Sequence, residues 1–293
     1  MSFLSKTVLI FCDGNKLCLN SWDSTHWIFM RCLASFIVFV VWIPMLCTMP
    51  LMADAKMAVV PYQDEQQITL VGEDEWYPYA ALRDGKLKGL AVDLIEAAYA
   101  AVNVKVSFKS APYARCLMLV ETGQELGCFD SLKDSKLTKI FLFHEEPIFK
   151  AEIGIYALAS SEESRLEYSN LRGKRIGVTH GYTYTDEVDN DPEMQREVAP
   201  TDLSNLRKLL RQRSDYSLIY TRVVDDLQNR YMTEFKGKIK QVGSISTQSL
   251  YVSFSKKRAD AIKYADLLDQ GLRKIKKNGV YQKIELQWRN FAP

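Results

Sequence analysis

The chain has 293 residues, of which 47% are hydrophobic and 25% are charged, and its formal net charge is +2. A near-neutral chain without a basic stripe argues against a nucleic-acid-binding protein. The densest basic run, at 273–277, lies on a predicted amphipathic helix and is expected to form a solvated face. The length allows one or two domains.

The first 55 residues are predicted to be a leader that directs export to the periplasm. An apolar segment at 32–52 ends in the small-x-small sequence Ala-Asp-Ala, which predicts cleavage after Ala55. The region before Met30 is too long and too polar for an ordinary signal peptide, so Met30 is predicted to be the true start. The alternative is an uncleaved anchor, because the apolar segment could span a bilayer at about 1.5 Å per residue. The two prolines in the segment favour a signal peptide.

Predicted strands and helices alternate through the rest of the chain, which indicates an α/β protein. Strands are predicted at 68–72, 104–108, 126–129, 151–158, 216–219 and 250–254, and a second α/β unit begins at 170–178. Helices are predicted from residue 90 onward, at 112–122, at 202–211, at 222–231, and in a final pair that ends near Trp288. Two strands that bracket an α/β insert predict two lobes joined by two crossings.

The most informative segment is Asp-Gly-Lys-Leu-Lys-Gly-Leu-Ala-Val-Asp-Leu, at 84–94. Asp84 and Gly85 predict a tight turn, because Asp tolerates and Gly freely adopts a positive φ. The helix that follows has apolar residues at three- and four-residue spacing. Upstream lie the strand at 68–72 and the aromatic sequence Trp-Tyr-Pro-Tyr at 76–79.

This order of strand, aromatic-Pro loop, turn and Gly-Leu-x-Val-Asp-Leu helix resembles the opening of the family 3 extracellular solute-binding proteins. These are periplasmic receptors that hand polar amino acids to ABC importers. The family usually has an acidic residue at the third motif position, where this chain has Ala91. The segment at 171–178, Leu-Arg-Gly-Lys-Arg-Ile-Gly-Val, resembles the start of the family's second lobe.

The resemblance implies an α/β fold of the two-lobe, periplasmic-binding-protein type II class, with a ligand cleft between the lobes. Lobe 1 would comprise residues 56–151 and 254–293, lobe 2 would comprise residues 152–253, and two hinge strands would join them. Such a cleft closes on its ligand about the hinge. Nothing in the sequence indicates an oligomer, so a monomer is expected.

Both charged groups that hold a zwitterionic amino acid in the family are altered here. The family Arg that binds the ligand carboxylate falls on Thr138, and the nearest cations are Lys136 and Lys139. A Lys lacks the bidentate fork of Arg, so this exchange would not be neutral. The family Asp that binds the ammonium falls on Tyr220, and a phenol cannot neutralise an ammonium at neutral pH. The sequence therefore predicts a small polar ligand without naming an amino acid.

The resemblance also implies ligand contacts from the first lobe. It places Glu73, Trp76 and Tyr79 at the cleft, although Trp76 could instead be a buried core residue. Asp130 and Ser131 follow the third predicted strand, at the end where α/β proteins generally bind ligands. Their alternative role is to cap the next helix.

Two further cleft contacts are predicted. Arg115, near the start of the second helix, is the preferred replacement cation, and its alternative is an ordinary surface position. In the second lobe, Gly181, Tyr182 and Thr183 resemble the family's Gly-Thr-Thr turn. The resemblance implies that this turn opens a helix whose N–H groups and dipole accept a carboxylate.

Only Cys116 and Cys128 remain after removal of the leader. An even pair in an exported protein is a disulfide candidate, and the alternative is two buried thiols. His144 and His180 have no partner at a ligating spacing, so neither a metal nor a cofactor is predicted.

The predicted function is a periplasmic binding protein that delivers its solute to an ABC permease at the inner membrane. No Ser-His-Asp spacing or P-loop is present in the sequence. One alternative is an enzyme on the same fold that resembles the cyclohexadienyl dehydratases, which would need an acid and cations. Glu73, Arg115, Lys133 and Lys136 are its candidates. The other alternative is a ligand-sensing accessory protein.

Overall fold

The computed structural model of the protein describes residues 66–290. The predicted leader, with its start at Met30 and its cleavage after Ala55, lies outside these residues. Within them, none of the helices has the length and hydropathy needed to span a membrane.

The first part of the described chain contains seven strands and three helices. They are β1 (Gln66–Gly72), β2 (Glu75–Trp76), β3 (Ala80–Arg83), β4 (Lys86–Lys88), α1 (Leu90–Ala100), β5 (Val104–Ser110), α2 (Tyr113–Glu121), β6 (Gly127–Leu132), α3 (Leu137–Ile140) and β7 (Phe141–Phe143).

The remaining elements begin with a long strand and end with two helices. They are β8 (Phe149–Leu158), a 3-10 helix (Tyr168–Leu171), β9 (Arg175–Thr179), α4 (Asp186–Asn190), β10 (Gln195–Ala199), α5 (Asp202–Leu210), β11 (Tyr216–Tyr220), α6 (Thr221–Arg230), α7 (Met232–Phe235), β12 (Ile239–Ser255), α8 (Ala261–Lys277) and α9 (Val280–Asn290).

One large sheet runs through the described residues in the order β10-β9-β11-β8-β12-β6-β1-β5, and β7 also pairs with β12. At one end β5, β1 and β6 are parallel, and at the other end β9 is parallel to both β10 and β11. The antiparallel pair β8–β12 lies between these two groups. We call the elements before β8, together with α8 and α9, the first lobe, and those from β9 to α7 the second lobe.

The strand predicted at 250–254 is only the last part of β12, which has 17 residues. Its earlier residues, from Ile239 to Ser249, are largely polar and half-buried, so they lack the continuous apolar run that marked the end of the strand. They are ordered by backbone pairing, because β12 pairs with β8 from Ile239 to Leu250 across two register shifts. Neighbour pairing therefore extends a strand that side-chain pattern alone does not predict.

Helix α8 returns to the first lobe and packs closely on α1. A Cβ atom at Gly271 would lie 2.0 Å from the carbonyl oxygen of Ala98, so the two backbones can approach only because this position is glycine. The hydroxyl of Tyr99 donates to the carbonyl of Tyr264 at 3.0 Å. These contacts attach α8 to the lobe that opens the described chain.

A buried His–Asp pair fixes the segment that leads into β8. The backbone N–H of Val252 donates to Nε2 of His144 at 2.9 Å, so the ring proton lies on Nδ1 and faces Asp269 at 3.1 Å. Asp269 also accepts the backbone N–H groups of Glu145 and Glu146. Burial lowers the pKa of His144, which favours this neutral form.

A disulfide joins α2 to β6. The sulfur atoms of Cys116 and Cys128 are 2.01 Å apart, and their Cα atoms are 5.7 Å apart. Both residues are fully buried in a small apolar cluster with Val71, Tyr113 and Val120. The bond closes a short loop and holds the first turn of α2 against the start of β6.

Removing this disulfide is expected to lower the free energy of unfolding by about 3 kcal/mol, the loop-closure value for a loop of this length. Urea unfolding of a Cys116→Ala, Cys128→Ala double variant measures the change. As a control, a reductant should destabilise the wild type and leave the double variant unchanged. A wild type with the same stability in both conditions would contradict the pairing.

Candidate functional site

A cavity lies between the two lobes, at the carboxyl ends of parallel strands. Its lining comes from the ends of β1, β6, β9 and β11, from β2 and from the first residue of α2. The lining residues are Glu73, Trp76, Tyr113, Asp130, Leu132, Tyr182, Thr183 and Tyr220. In open α/β sheets this edge is where ligands bind, because the strands end there and the following loops converge.

The lobes are closed over this cavity. The hydroxyl of Tyr182 in the second lobe donates to Oε1 of Glu73 in the first lobe at 2.5 Å, and its ring meets Tyr113 edge-on at 5.3 Å. Near the rim, the Ser135 hydroxyl donates to Oδ1 of Asp186 at 2.6 Å. The remaining cavity is about 10 Å³, which is the space of a single water molecule. A larger ligand therefore needs the lobes to part.

Glu73 is half-buried where the two lobes meet. Burial raises the pKa of its carboxyl well above 4.5, and the hydrogen bond from Tyr182 only partly opposes this. The negative charges of Asp202, Asp130 and Asp74 raise the pKa further. Burial and these negative charges therefore both favour the protonated form of Glu73, and an approaching positive charge would favour the ionised form.

Asp130 is a second buried carboxyl in the cavity wall. Within the described residues, neither of its carboxylate oxygens has a hydrogen-bond partner, and burial raises its pKa well above 3.8. Its backbone has φ +67°, a left-handed conformation that Asp tolerates better than most residues, at the point in β6 where the pairing with β12 shifts register. A buried polar group without a partner is costly, and such strain is typical of functional sites.

Aromatic rings form much of the remaining wall. The Trp76 ring lies 4.4 Å from Tyr79 and meets Tyr220 edge-on at 4.8 Å. The indole Nε1 of Trp76 is buried and has no partner in residues 66–290. Tyr79 stacks on Phe149 at 4.9 Å and lies outside the lining. Trp76 thus lines the cavity and has a buried donor without a partner in this range, while Tyr79 packs against its ring.

A buried acid lies behind the second-lobe wall. The Thr179 hydroxyl donates to Oδ1 of Asp202 at 2.5 Å and accepts from Nδ2 of Asn205 at 2.9 Å. Burial raises the pKa of Asp202 to about 7. Its charge raises the pKa of Glu73 across the cleft, so the negative potential in the cavity comes from both lobes.

Comparison with known families decides what this chain is. Residues 68–291 match the model of the bacterial extracellular solute-binding proteins, family 3. The chain belongs to this family. No protein with a curated description matches the sequence.

Solved structures share the two-lobe fold of this family 3 chain. One is an ancestral arginine-binding protein bound to arginine, with 21% identity, 76% of this chain and 97% of that chain covered, and a TM-score of 0.64. A histidine kinase sensor domain has 18% identity, covers 79% and 100% of the two chains, and has a TM-score of 0.67. The arginine-, lysine-, histidine-binding protein ArtJ from Geobacillus stearothermophilus has 18% identity, 78% and 97% coverage, and a TM-score of 0.63.

The structure brings six of the predicted contacts together in the cavity wall, which are Glu73, Trp76, Asp130, Tyr182, Thr183 and Tyr220. It does not place Arg115 or Lys136 there, because both are exposed and outside the lining. Ser131 is buried behind the wall, where it accepts a hydrogen bond from Tyr113 at 3.1 Å. Gly181 lies in an exposed turn, with φ +83°, beside Ala114.

Two predictions about local structure are wrong. The turn at 181–183 does not open a helix, because α4 begins at Asp186 and is capped by the Thr185 side chain. The helix N-terminus that was expected at this turn lies at Asp186 instead. Asp130 and Ser131 lie within β6 rather than after it, and the first turn of α3 is instead capped by Asp134.

Two lining residues, Tyr113 and Leu132, were missed. Tyr113 is the first residue of α2, two positions before Arg115. Residues two apart on a helix point to different sides, so only one of them can face the cavity. The apolar cluster around Cys116 sets the rotation of α2, and this rotation turns Tyr113 inward. The disulfide was therefore the signal that could have identified Tyr113.

Stability of the ligand-free protein is expected to rise as the pH falls from about 7.5 to 5.5. The raised pKa values mean that folded Glu73, Asp130 and Asp202 hold protons that the unfolded chain has released, so folding takes up protons in this window. His144 has a lowered pKa, so below pH 6.5 the unfolded chain binds a proton more readily there than the folded chain does. This one group therefore acts against the rise in stability. Urea unfolding at several pH values measures the slope.

An Asp130→Asn variant should reduce this slope by about 1 kcal/mol per pH unit, because it removes one titrating carboxyl. Asn also accepts the left-handed backbone at this position. Glu75→Gln, at an exposed site in β2, makes the same change in charge and should leave the slope unchanged. A wild-type slope in the Asp130→Asn protein would show that Asp130 is ionised in the fold.

Proposed function

We propose that this family 3 protein is a receptor that captures a small polar solute between its lobes and delivers it to an ABC-type permease at the inner membrane. The observation that supports this most directly is the interlobe cavity, with its buried polar atoms that lack partners among residues 66–290. We further propose that the chain reaches the periplasm through the leader at 1–55 and acts as a monomer. The predicted lobe bounds, 56–151 with 254–293 and 152–253, are part of the same proposal.

The closed contacts explain how capture and delivery are coupled. Glu73 and Tyr182 belong to different lobes, and both line the cavity. Closure therefore completes the binding site and at the same time forms the outer surface that a permease would recognise. Among the structural relatives is the substrate-binding protein of an amino acid ABC transporter, which has 16% identity and a TM-score of 0.61.

The dehydratase alternative receives less support from the geometry. Of its four candidate groups only Glu73 lines the cavity. Lys133 donates to the backbone carbonyl of His144 at 3.3 Å, while Arg115 and Lys136 are exposed. Elimination of water from a carboxylate substrate needs cations beside the acid, and the lining provides none of these three. We therefore propose binding without chemistry.

A sensory role would use the same closure, and a histidine kinase sensor domain shares this fold. Uptake separates the two roles. If the protein serves a permease, deletion of its gene should abolish high-affinity uptake of the bound solute. Normal uptake together with a lost transcriptional response would favour the sensor.

A thermal-shift screen of polar solutes should give at least one stabilising ligand. At 100 times its Kd, a ligand adds about 2.7 kcal/mol to the free energy of unfolding, which corresponds to a Tm increase of roughly 5–10 °C. The screen should include amino acids, amines, dicarboxylates, sugars and prephenate, and each bound ligand should be recovered and identified afterwards. Recovery of the unaltered ligand supports a receptor, whereas consumption of the ligand would establish an enzyme.

Thr183→Val is expected to weaken binding of that ligand about three- to tenfold. The Thr183 hydroxyl is buried at the cavity and has no partner among the described residues, so a ligand hydrogen bond worth about 1 kcal/mol is expected there. Calorimetric titration measures the Kd. Thr247→Val, at an exposed position on β12, is the matched control and should bind as the wild type does. Equal affinity in both variants would remove Thr183 from the site.

A further inference from the structure

The charge of the cavity wall distinguishes this site from one that holds an amino acid. The eight lining residues include two carboxyls, Glu73 and Asp130, and no Lys, Arg or His. Asp202 adds a third acid behind the wall. The two cations predicted for the site, Arg115 and Lys136, are exposed and lie outside the lining. The wall thus offers a partner for a positive ligand charge and none for a negative one.

Asp130 has two acceptor atoms that the fold leaves unused. Both of its carboxylate oxygens are buried at the cavity, with no hydrogen-bond partner in the described chain. An ammonium group has three donors and would satisfy both oxygens with charge-assisted hydrogen bonds. A ligand carboxylate has only acceptors at neutral pH, so it brings no donor for either oxygen and could pair with Asp130 only through a proton that Asp130 itself holds.

The aromatic walls suit the same ligand. Trp76, Tyr113, Tyr182 and Tyr220 surround the two carboxyls, and the faces of such rings attract cations. The buried Trp76 N–H and Thr183 hydroxyl leave positions for a neutral polar group of the ligand, such as a hydroxyl. Acid, aromatic rings and neutral donors together form a cage for an organic cation.

We propose that this cavity binds a small protonated organic amine that carries no carboxylate group. The inference rests on the proposed receptor function and specifies its ligand class. The cavity of the closed state has the space of one water molecule, so the amine enters with the lobes parted and separates Glu73 from Tyr182 on binding.

Binding should be coupled to proton release. Burial raises the pKa of Glu73 and Asp130, and an ammonium ligand would lower both again. The charged groups that act on Glu73 are Asp74, Asp130 and Asp202, and the other titratable lining residues are three tyrosines. Arg222 is a cation on this side, and it lies over the ring of Tyr79, outside the lining. The affinity for an amine should therefore fall as the pH drops from 8 to 6, because protons compete with the ligand.

The test compares amines with amino acids that differ from them by one carboxyl group. The pairs are ethanolamine and serine, putrescine and ornithine, agmatine and arginine, and histamine and histidine. Calorimetric titration at pH 7.5 and constant ionic strength, in two buffers of different ionisation enthalpy, measures affinity and released protons. At least one amine is expected to bind tenfold or more tightly than its amino acid, with release of a proton.

Asp130→Asn should weaken binding of that amine at least tenfold and reduce the proton release. Glu75→Gln makes the same change in charge at an exposed position and should have neither effect. Circular dichroism confirms that both variants fold. The inference is wrong if an amino acid binds as tightly as its amine, if no amine binds at 10 mM, or if Asp130→Asn keeps the wild-type affinity. In each case, a ligand found in the wider screen would still support the receptor function. Only a screen that finds no ligand would contradict both the amine proposal and the receptor proposal.

Discussion

The pairing of β8 with β12 is the interaction on which the rest of this structure depends. These strands run antiparallel from Ile239 to Leu250 on one side and from Phe149 to Leu158 on the other. Each also pairs with a lobe, since β8 pairs with β11 and β12 pairs with β6. Two parallel α/β units are in this way joined at one sheet, and their ligand-binding edges face each other. The cavity exists because this central pair brings those edges together.

The site is built at a cost in stability that the scaffold must offset. Buried polar atoms usually have partners, yet at the cavity both oxygens of Asp130, the N–H of Trp76 and the hydroxyl of Thr183 lack one within residues 66–290. The surroundings are correspondingly rigid. The disulfide anchors α2 beside the wall, Phe149 and Tyr79 hold Trp76 in place, and Asp269 fixes the segment before β8. Groups held without partners are available to a ligand without prior rearrangement.

Local sequence pattern predicted those elements in which apolar residues mark the buried positions. Helix α1 and strands β1, β5 and β11 have clear apolar spacing, and the structure has them near the predicted positions. Edge strand β10 was not predicted, since its sequence Gln-Arg-Glu-Val-Ala is mostly exposed. The polar half of β12 was missed for a related reason, because backbone pairing rather than burial orders it. Pattern methods detect burial, and these strands owe their order to hydrogen bonds.

The sequence predicted where in the fold the site lies, but not which side chains touch one another there. The family resemblance pointed to Glu73 and Tyr220. The end of a predicted strand pointed to Asp130, because the carboxyl edge of an α/β sheet is set by topology. The rotation of α2 decided between Tyr113 and Arg115, and that rotation depends on packing around Cys116. The hydrogen bond between Tyr182 and Glu73 joins residues 109 positions apart, which no local pattern records.

The distribution of charge between the lobes gives the altered family positions a physical meaning. The resemblance places the ammonium partner on the second lobe, at the position of Tyr220, whereas here both lining carboxyls belong to the first lobe. The second lobe contributes only neutral side chains to the lining, namely Tyr182, Thr183 and Tyr220. A cation would therefore meet its countercharge on the first lobe before closure, and the second lobe would then exclude water around the pair. Because the attraction between opposite charges grows as water leaves, closure would strengthen the ion pair that the cation first forms with the open first lobe.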